Sequence, residues 1–130
     1  MKPTGKSQGK GIFLVNKLNQ LSPWESNINA SNAEPYIIQR YINNPLLIGG
    51  KKFDIRIYVL VTSYNPLTVY LYRNGFARFT HARYDETKIN DTEAHLTNVA
   101  IQKLSANYDE NIGGKWYLDK LKIYLLGKYG

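Results

Sequence analysis

The chain has 130 residues, enough for one domain with an apolar core, and sets seventeen Lys and Arg against ten Asp and Glu, a formal net charge of +7. Without cysteine there is no disulfide, thiol nucleophile or thiolate metal site, and with His81 and His95 as the two histidines a multi-histidine zinc centre is excluded too. No signal-type apolar stretch opens the sequence and no segment approaches the ~20 apolar residues of a membrane span, so the expectation is a soluble intracellular domain whose positive excess favours acidic partners.

In chain order, Gly5, Gly9 and Gly11 sit among Lys2, Lys6 and Lys10, and Ile12 to Val15 then reads as a buried strand. The polar run from Asn27 to Glu34 reads as a loop. Tyr36 to Ile42 reads as a second strand ended by Asn43-Asn44-Pro45, and Gly49-Gly50 marks a turn. From Lys52 to Thr62, Phe53, Ile55, Ile57, Val59 and Val61 alternate with Lys52, Asp54, Arg56 and Tyr58. Alternate side chains of a strand point to opposite faces, so one face is expected to enter the core and the other to begin with three charged groups. Lys52 to Arg56 would span roughly 13 Å at a strand's rise, about the length of a triphosphate with its ribose.

Asn65-Pro66 makes a turn and Leu67 to Tyr72 another strand. Asn74-Gly75 is a preferred tight-hairpin dipeptide, which makes Phe76 to Phe79 the returning strand. Tyr84 to Glu93 reads as a loop, followed by His95-Leu96-Thr97-Asn98 and a short apolar stretch. In the final segment, Trp116 to Gly130, helical spacing of Leu118, Leu121, Tyr124 and Leu125 predicts an amphipathic helix. The fold class is α+β with mostly antiparallel strands. Both ends are abrupt, and part of a domain is expected to be missing.

Three places offer chemistry. Glycines let a backbone approach an anion closely, and flanking lysines add charge, but the spacing fits neither a P-loop nor a dinucleotide fingerprint. A phosphate cradle and a mobile hairpin tip both remain open there. The face of Lys52, Asp54 and Arg56, extended by Arg78, is either a cationic binding face or a solvated sheet face. Thr97 and Asn98 bind a ligand or, more simply, cap a turn or helix. His95 has no partner in the sequence and reads as structural. Eleven tyrosines among basic residues would suit stacking on single-stranded nucleic acid, but packing in strands explains them too, and no nucleic-acid motif appears.

Taken together, the runs Lys2-Pro3 through Gly9-Lys10-Gly11-Ile12, Gln39-Arg40-Tyr41-Ile42, Pro45-Leu46-Leu47-Ile48, Lys52-Phe53-Asp54-Ile55-Arg56, Tyr58-Val59-Leu60-Val61, Tyr72-Arg73-Asn74-Gly75 and His95-Leu96-Thr97-Asn98 resemble the tubulin tyrosine ligase-like family in order and spacing. Gly49-Gly50-Lys51 and Gly75 to Phe79 look most like its polyglutamylase branch, linked to cilia and flagella. The resemblance implies an ATP-grasp fold, of which residues 1–130 would be a partial domain truncated at both ends, covering the central and part of the C-terminal lobe. It also implies an ATP-dependent ligase that phosphorylates an acceptor carboxylate and lets an amine attack the acyl phosphate.

By the same resemblance, Lys2 matches a lysine that reaches the ATP phosphates. Gln39, Arg40, Tyr41 and Ile42 match the linker along the adenine, and Lys52 and Asp54 match residues facing phosphates and ribose. Arg56 and Arg78 match arginines at the γ-phosphate and the acyl-phosphate intermediate, while Thr97 and Asn98 match polar residues of the same cleft. The family's Mg²⁺ ligands, typically in a Glu-Val-Asn segment, have no counterpart in this sequence, so the isolated chain is expected to be inactive. The implied partners are acidic tubulin tails, microtubules and free glutamate, with no nucleic acid or membrane, for a monomer in the cytoplasm and cytoskeleton, at the basal body or axoneme of a cilium or flagellum. A glycylase or tyrosine ligase of the same family is the alternative within the class. A non-catalytic microtubule- or RNA-binding module is the alternative outside it.

Overall fold

A computed structural model describes residues 1–22, 34–105, 108 and 114–130. The polar loop expected over Asn27 to Glu34 lies outside the described residues except for Glu34. Among the described residues eight strands and three α-helices form a mixed α and β architecture in which every described strand pairing is antiparallel, in line with the expected class. Among the described residues no helix is long and apolar enough to cross a membrane.

The main sheet has the order β3-β4-β7-β8, built from β3 (Leu47–Ile48), β4 (Lys51–Arg56), β7 (Phe76–Phe79) and β8 (Lys115–Tyr117). Gly49 and Gly50, at φ +60° and +73°, turn β3 into β4 in two residues, a backbone that suits glycine. On one face Phe53 opposes Phe79 and Ile55 opposes Ala77, which in turn opposes Trp116. The helix α3 (Leu118–Tyr129) lies over this face, with Leu121 buried and Leu118, Tyr124 and Leu125 packed beside it as their spacing predicts. Rings at 5.4 Å (Phe53–Phe79), 5.0 Å (Phe79–Trp116) and 5.6 Å (Trp116–Tyr124) carry the core from sheet to helix. Trp116 itself belongs to β8 and not to the helix.

Several expected elements are shorter or paired differently. The run from Lys52 to Thr62 is two strands, because the chain leaves the main sheet at Ile57 and Tyr58 and continues as β5 (Val59–Tyr64), hairpinned to β6 (Leu67–Leu71). Ile55 is 48% exposed instead of entering the core. The two-residue β3 flanks only Lys51 and Lys52, so the outer half of β4 is a sheet edge, and α3 lies over β7 and β8. Asn74-Gly75 is not a hairpin either, since β6 and β7 belong to different sheets. Gly75 serves close approach: a Cβ there would lie 2.3 Å from the Arg56 carbonyl oxygen. Tyr36 to Ile42 pairs only at β2 (Tyr36–Ile37), against β1 (Lys2–Pro3), because β1 offers no more partners. Ile12 to Val15 forms no strand. Phe13 exchanges backbone bonds with Met1 (3.1 and 3.2 Å), and a short 3₁₀ turn at Leu18–Leu21 follows.

Within the stretch from Tyr84 to Glu93, α1 (Thr92–His95) already begins, and α2 (Val99–Gln102) follows it. Asp91 caps α1 by accepting from the Glu93 and Ala94 N–H groups. Gln102 ties this pair of turns to the sheet. Its buried amide donates to the Glu93 and Leu96 carbonyls and accepts from the His81 N–H.

Candidate functional site

The second face of the main sheet carries the charge that alternation predicts. Lys52, Asp54 and Arg56 project to it from β4, and Arg78 opposes Asp54 from β7. The Arg78 guanidinium grips the Asp54 carboxylate with two parallel bonds, Nε to Oδ1 at 2.8 Å and Nη2 to Oδ2. This bond holds the Arg78 pKa above its ordinary value. Asp54, expected to face a nucleotide, has both oxygens engaged by Arg78. Cross-strand pairing brings the two groups together, and a free carboxylate beside phosphates would be repelled.

Arg56 and Arg78 share a cavity of about 500 Å³ with Asn98 and Lys103 and with Ser7 and Gln8 of the glycine-rich turn. The turn reaches this place because Gln8, Gly9 and Gly11 adopt φ of +61°, +83° and +74°. Gly9 is buried against α2, and a Cβ there would stand 2.6 Å from Ile101 Cδ1 and 3.0 Å from the Asn98 side chain. Only a glycine lets the turn lie so close. Asn98 occupies the N-cap position of α2 but makes no capping bond with its side chain, which remains on the cavity wall. Thr97 beside it is buried. No carboxylate lines the cavity among the described residues, and its three cations with an amide form a donor set for a polyanion.

The Lys52 end of the face is built differently. Its ammonium donates to the Tyr41 hydroxyl at 3.1 Å and to the His95 carbonyl at 2.9 Å, and lies 4.7 Å from the Tyr41 ring centre. Burial lowers the Lys52 pKa, partly offset by Asp54. Burial, and then the nearby Tyr84 hydroxyl, raise that of Tyr41. His95 is held on both ring nitrogens and is structural, as its sequence context suggests.

The structure thus gathers Arg56, Arg78 and Asn98 at one cavity and ties Lys52 and Tyr41 into a neighbouring network on the same strand face. Gln39, Arg40 and Ile42 are exposed along an extended segment that carries Tyr41. Lys2 is exposed on β1 and lines no cavity among the described ones. Sequence reasoning missed Lys103, which follows α2 in what reads only as a short apolar stretch. Its signal is a cation five residues beyond Asn98. Among the described residues no three His, Asp or Glu side chains cluster to hold a metal ion. With no carboxylate in the cavity's lining among the described residues, those residues offer a Mg²⁺ ion no ligand there, while the cavity's donors suit an anion.

A sequence profile described as "Tubulin-tyrosine ligase family" matches residues 1–128. The chain is 50% identical over its whole length to "Probable tubulin polyglutamylase ttll-9" of Caenorhabditis elegans, covering 31% of that protein. It is 51% identical, again over its whole length, to "Probable alpha-tubulin polyglutamylase Ttll1" of Tetrahymena thermophila, covering 33%. To "Tubulin polyglutamylase TTLL5" of Homo sapiens it is 44% identical over 96% of its length, covering 10%. The chain spans about a third of the length of the first two relatives.

Proposed function

Because the chain belongs to the tubulin-tyrosine ligase family, we infer that it forms the nucleotide-binding part of an ATP-grasp ligase that adds glutamate to glutamate side chains of tubulin tails. The observation that carries this reading is the cavity where Arg56, Arg78 and Lys103 converge with Asn98 and where no described carboxylate lines the wall, in a chain about half identical to proteins named tubulin polyglutamylases. Residues 1–130 would be part of a longer ligase domain, and the +7 balance suits an acidic peptide acceptor. A microtubule-borne substrate would put the enzyme on the cytoskeleton, cilia and flagella included.

Bound ATP would supply the phosphoryl group that converts an acceptor carboxylate into an acyl phosphate, with ADP leaving, and attack by the incoming amine would then form the amide and expel inorganic phosphate. Negative charge moves between oxygens in both steps, and no covalent nucleophile is required. Arg56 and Arg78 would hold the transferring phosphoryl group and then the tetrahedral intermediate, as fixed cations that need no reorganisation. Asp54 would keep the Arg78 guanidinium plane in one orientation, so that the group arrives already aligned. Asn98 would donate its amide to the same anion, and the Ser7–Gln8 turn would close the rim. No step is assigned to a metal ion.

A chimera tests the reading. The homologous segment of the Caenorhabditis elegans relative is replaced by this chain, and labelled glutamate, glycine and tyrosine are offered with ATP and tubulin. Incorporation of glutamate is expected. Preferred incorporation of glycine or tyrosine would reassign the chain within its family. A folded chimera that binds microtubules in a salt-sensitive way but binds no ATP would make it a binding module.

A further inference from the structure

His95 is 1% exposed, and both of its ring nitrogens are committed. Nε2 stands 3.1 Å from the Lys88 carbonyl oxygen, which can only accept, so Nε2 carries the proton. In the neutral ring Nδ1 is then the acceptor, and the Tyr41 hydroxyl donates to it at 2.9 Å. With its proton directed there, the Tyr41 oxygen keeps its lone pairs for the Lys52 ammonium at 3.1 Å. The same ammonium donates to His95's own carbonyl at 2.9 Å. The rings of Tyr41 and Tyr84 meet His95 edge-on at 5.6 and 5.3 Å. With a neutral ring the bonds run from Lys52 to Tyr41, from Tyr41 to His95, and from His95 to the Lys88 carbonyl, while the Tyr84 hydroxyl beside Tyr41 gives its own proton to the Asn43 carbonyl at 2.7 Å.

An apolar residue could fill this volume equally well. A histidine differs in giving the Tyr41 proton a ring-nitrogen acceptor on the side away from Lys52. We propose that His95 is a positioning residue for the nucleotide face. Through Tyr41 and its own carbonyl it holds the Lys52 ammonium and the extended segment 39–42 in one fixed relation. Two of the ammonium's three protons are thereby occupied and one is left for an oxygen of the ligand. The ligand half of this inference rests on the nucleotide reading above, whereas the placement of Lys52 does not. His95 touches no reacting atom, and its effect is carried by the side chain it orients.

Two measurements on the ¹⁵N-labelled chimera test it: the Lys52 ammonium resonance, identified by its loss in Lys52→Arg, and calorimetric binding of ATP. In the wild type the ammonium protons should exchange slowly enough to be seen. His95→Leu keeps the bulk but cannot accept. It should abolish the resonance and weaken ATP about tenfold, the loss of roughly one bond to a charged group. Tyr41→Phe should do the same while disturbing the packing least. His95→Asn, whose side-chain oxygen can take the place of Nδ1, should restore the resonance and bring ATP affinity to within about twofold of wild type. An unchanged resonance in folded Tyr41→Phe and His95→Leu overturns the positioning role, and failure of His95→Asn to rescue overturns the acceptor assignment. A wild type that shows the protected ammonium but binds no ATP overturns the nucleotide reading, and the ammonium signal alone then decides the role of His95.

Discussion

The two ends of the charged face of β4 differ in what their cations have left to give. At the Lys52 end, hydrogen bonds to Tyr41 and the His95 carbonyl already hold the ammonium, and burial disfavours its charge. At the other end Arg56 is exposed, and together with Arg78 it borders an open cavity with no carboxylate among its described lining residues. Strand alternation puts both ends on one face, yet one end is mainly architecture and the other mainly offers charge to a ligand. Asp54 sits between them and decides the difference, since it binds Arg78 with both oxygens and gives Lys52 only a longer-range field.

The sharpest break between the ends should appear at Arg78. In the active chimera, Arg78→Ala is expected to lower turnover by about 10²–10³, the usual cost of removing one fixed donor from a developing anion. ATP affinity should change much less, because charge shifts during reaction count in the transition state and not in the ground state. The check is a split between kcat and the ATP dissociation constant. Turnover near wild type would remove Arg78 from the reaction and leave the Asp54 pair as a structural clasp.

Lys52→Met is the converse probe. Methionine keeps the apolar stem but leaves the Tyr41 oxygen and the His95 carbonyl without a donor, so a stability loss of about 1–3 kcal/mol is expected in urea unfolding. The pH dependence gives a sign as well. The folded pKa of Lys52 lies below 10.5, so in that window the unfolded chain binds more protons and the contribution of this group to stability rises with pH. Wild type minus Lys52→Met should therefore grow more favourable as pH climbs towards 10.5. A flat difference would mean that the ammonium is no more desolvated than a surface lysine.

The charged face was legible in the sequence because period-2 alternation is a local property, and Lys52, Asp54 and Arg56 could be read from it directly. The helical stripe of Leu118, Leu121, Tyr124 and Leu125 was legible for the same reason. Strand partners were not. Asn74-Gly75 has hairpin chemistry, but β7 pairs with β4 and β8, a choice made by the aromatic core around Phe79 and Trp116. Burial was legible only where a neighbour exists to cover it, which is why Phe53 packs into the core and Ile55 does not. Lys103 and the Ser7–Gln8 rim depend on Gly9 seating against α2, a contact across about ninety residues that no local pattern announces.

Arg56→Ala should move in the opposite direction to Lys52→Met. Arg56 is exposed, so its loss should leave stability within about 0.5 kcal/mol of wild type. ATP binding should weaken about tenfold, since one charge-assisted contact to a phosphate is removed. Unfolding curves and calorimetry on the same preparation read both quantities. Should Arg56→Ala destabilise as much as Lys52→Met, the two ends would be alike and the contrast between them would fail.

The smallest effect belongs to the apolar side of the same strand and asks whether it, too, divides along its length. A fully buried isoleucine cut to alanine costs about 2–5 kcal/mol, transfer and cavity together. Ile55 is 48% exposed, faces Ala77 across the pair, and lies beyond the stretch of β4 that β3 flanks. Its truncation leaves no closed cavity, and only about half of the transfer free energy remains to be lost. Ile55→Ala should therefore cost about 1 kcal/mol or less, whereas Phe79→Ala, one step inward on the same face, should cost about 3–5 kcal/mol. Urea midpoints at constant m would show the two losses directly. A loss above about 2 kcal/mol at Ile55 would mean that this edge is covered in solution, and the outer half of β4 would then be core on one side and ligand surface on the other.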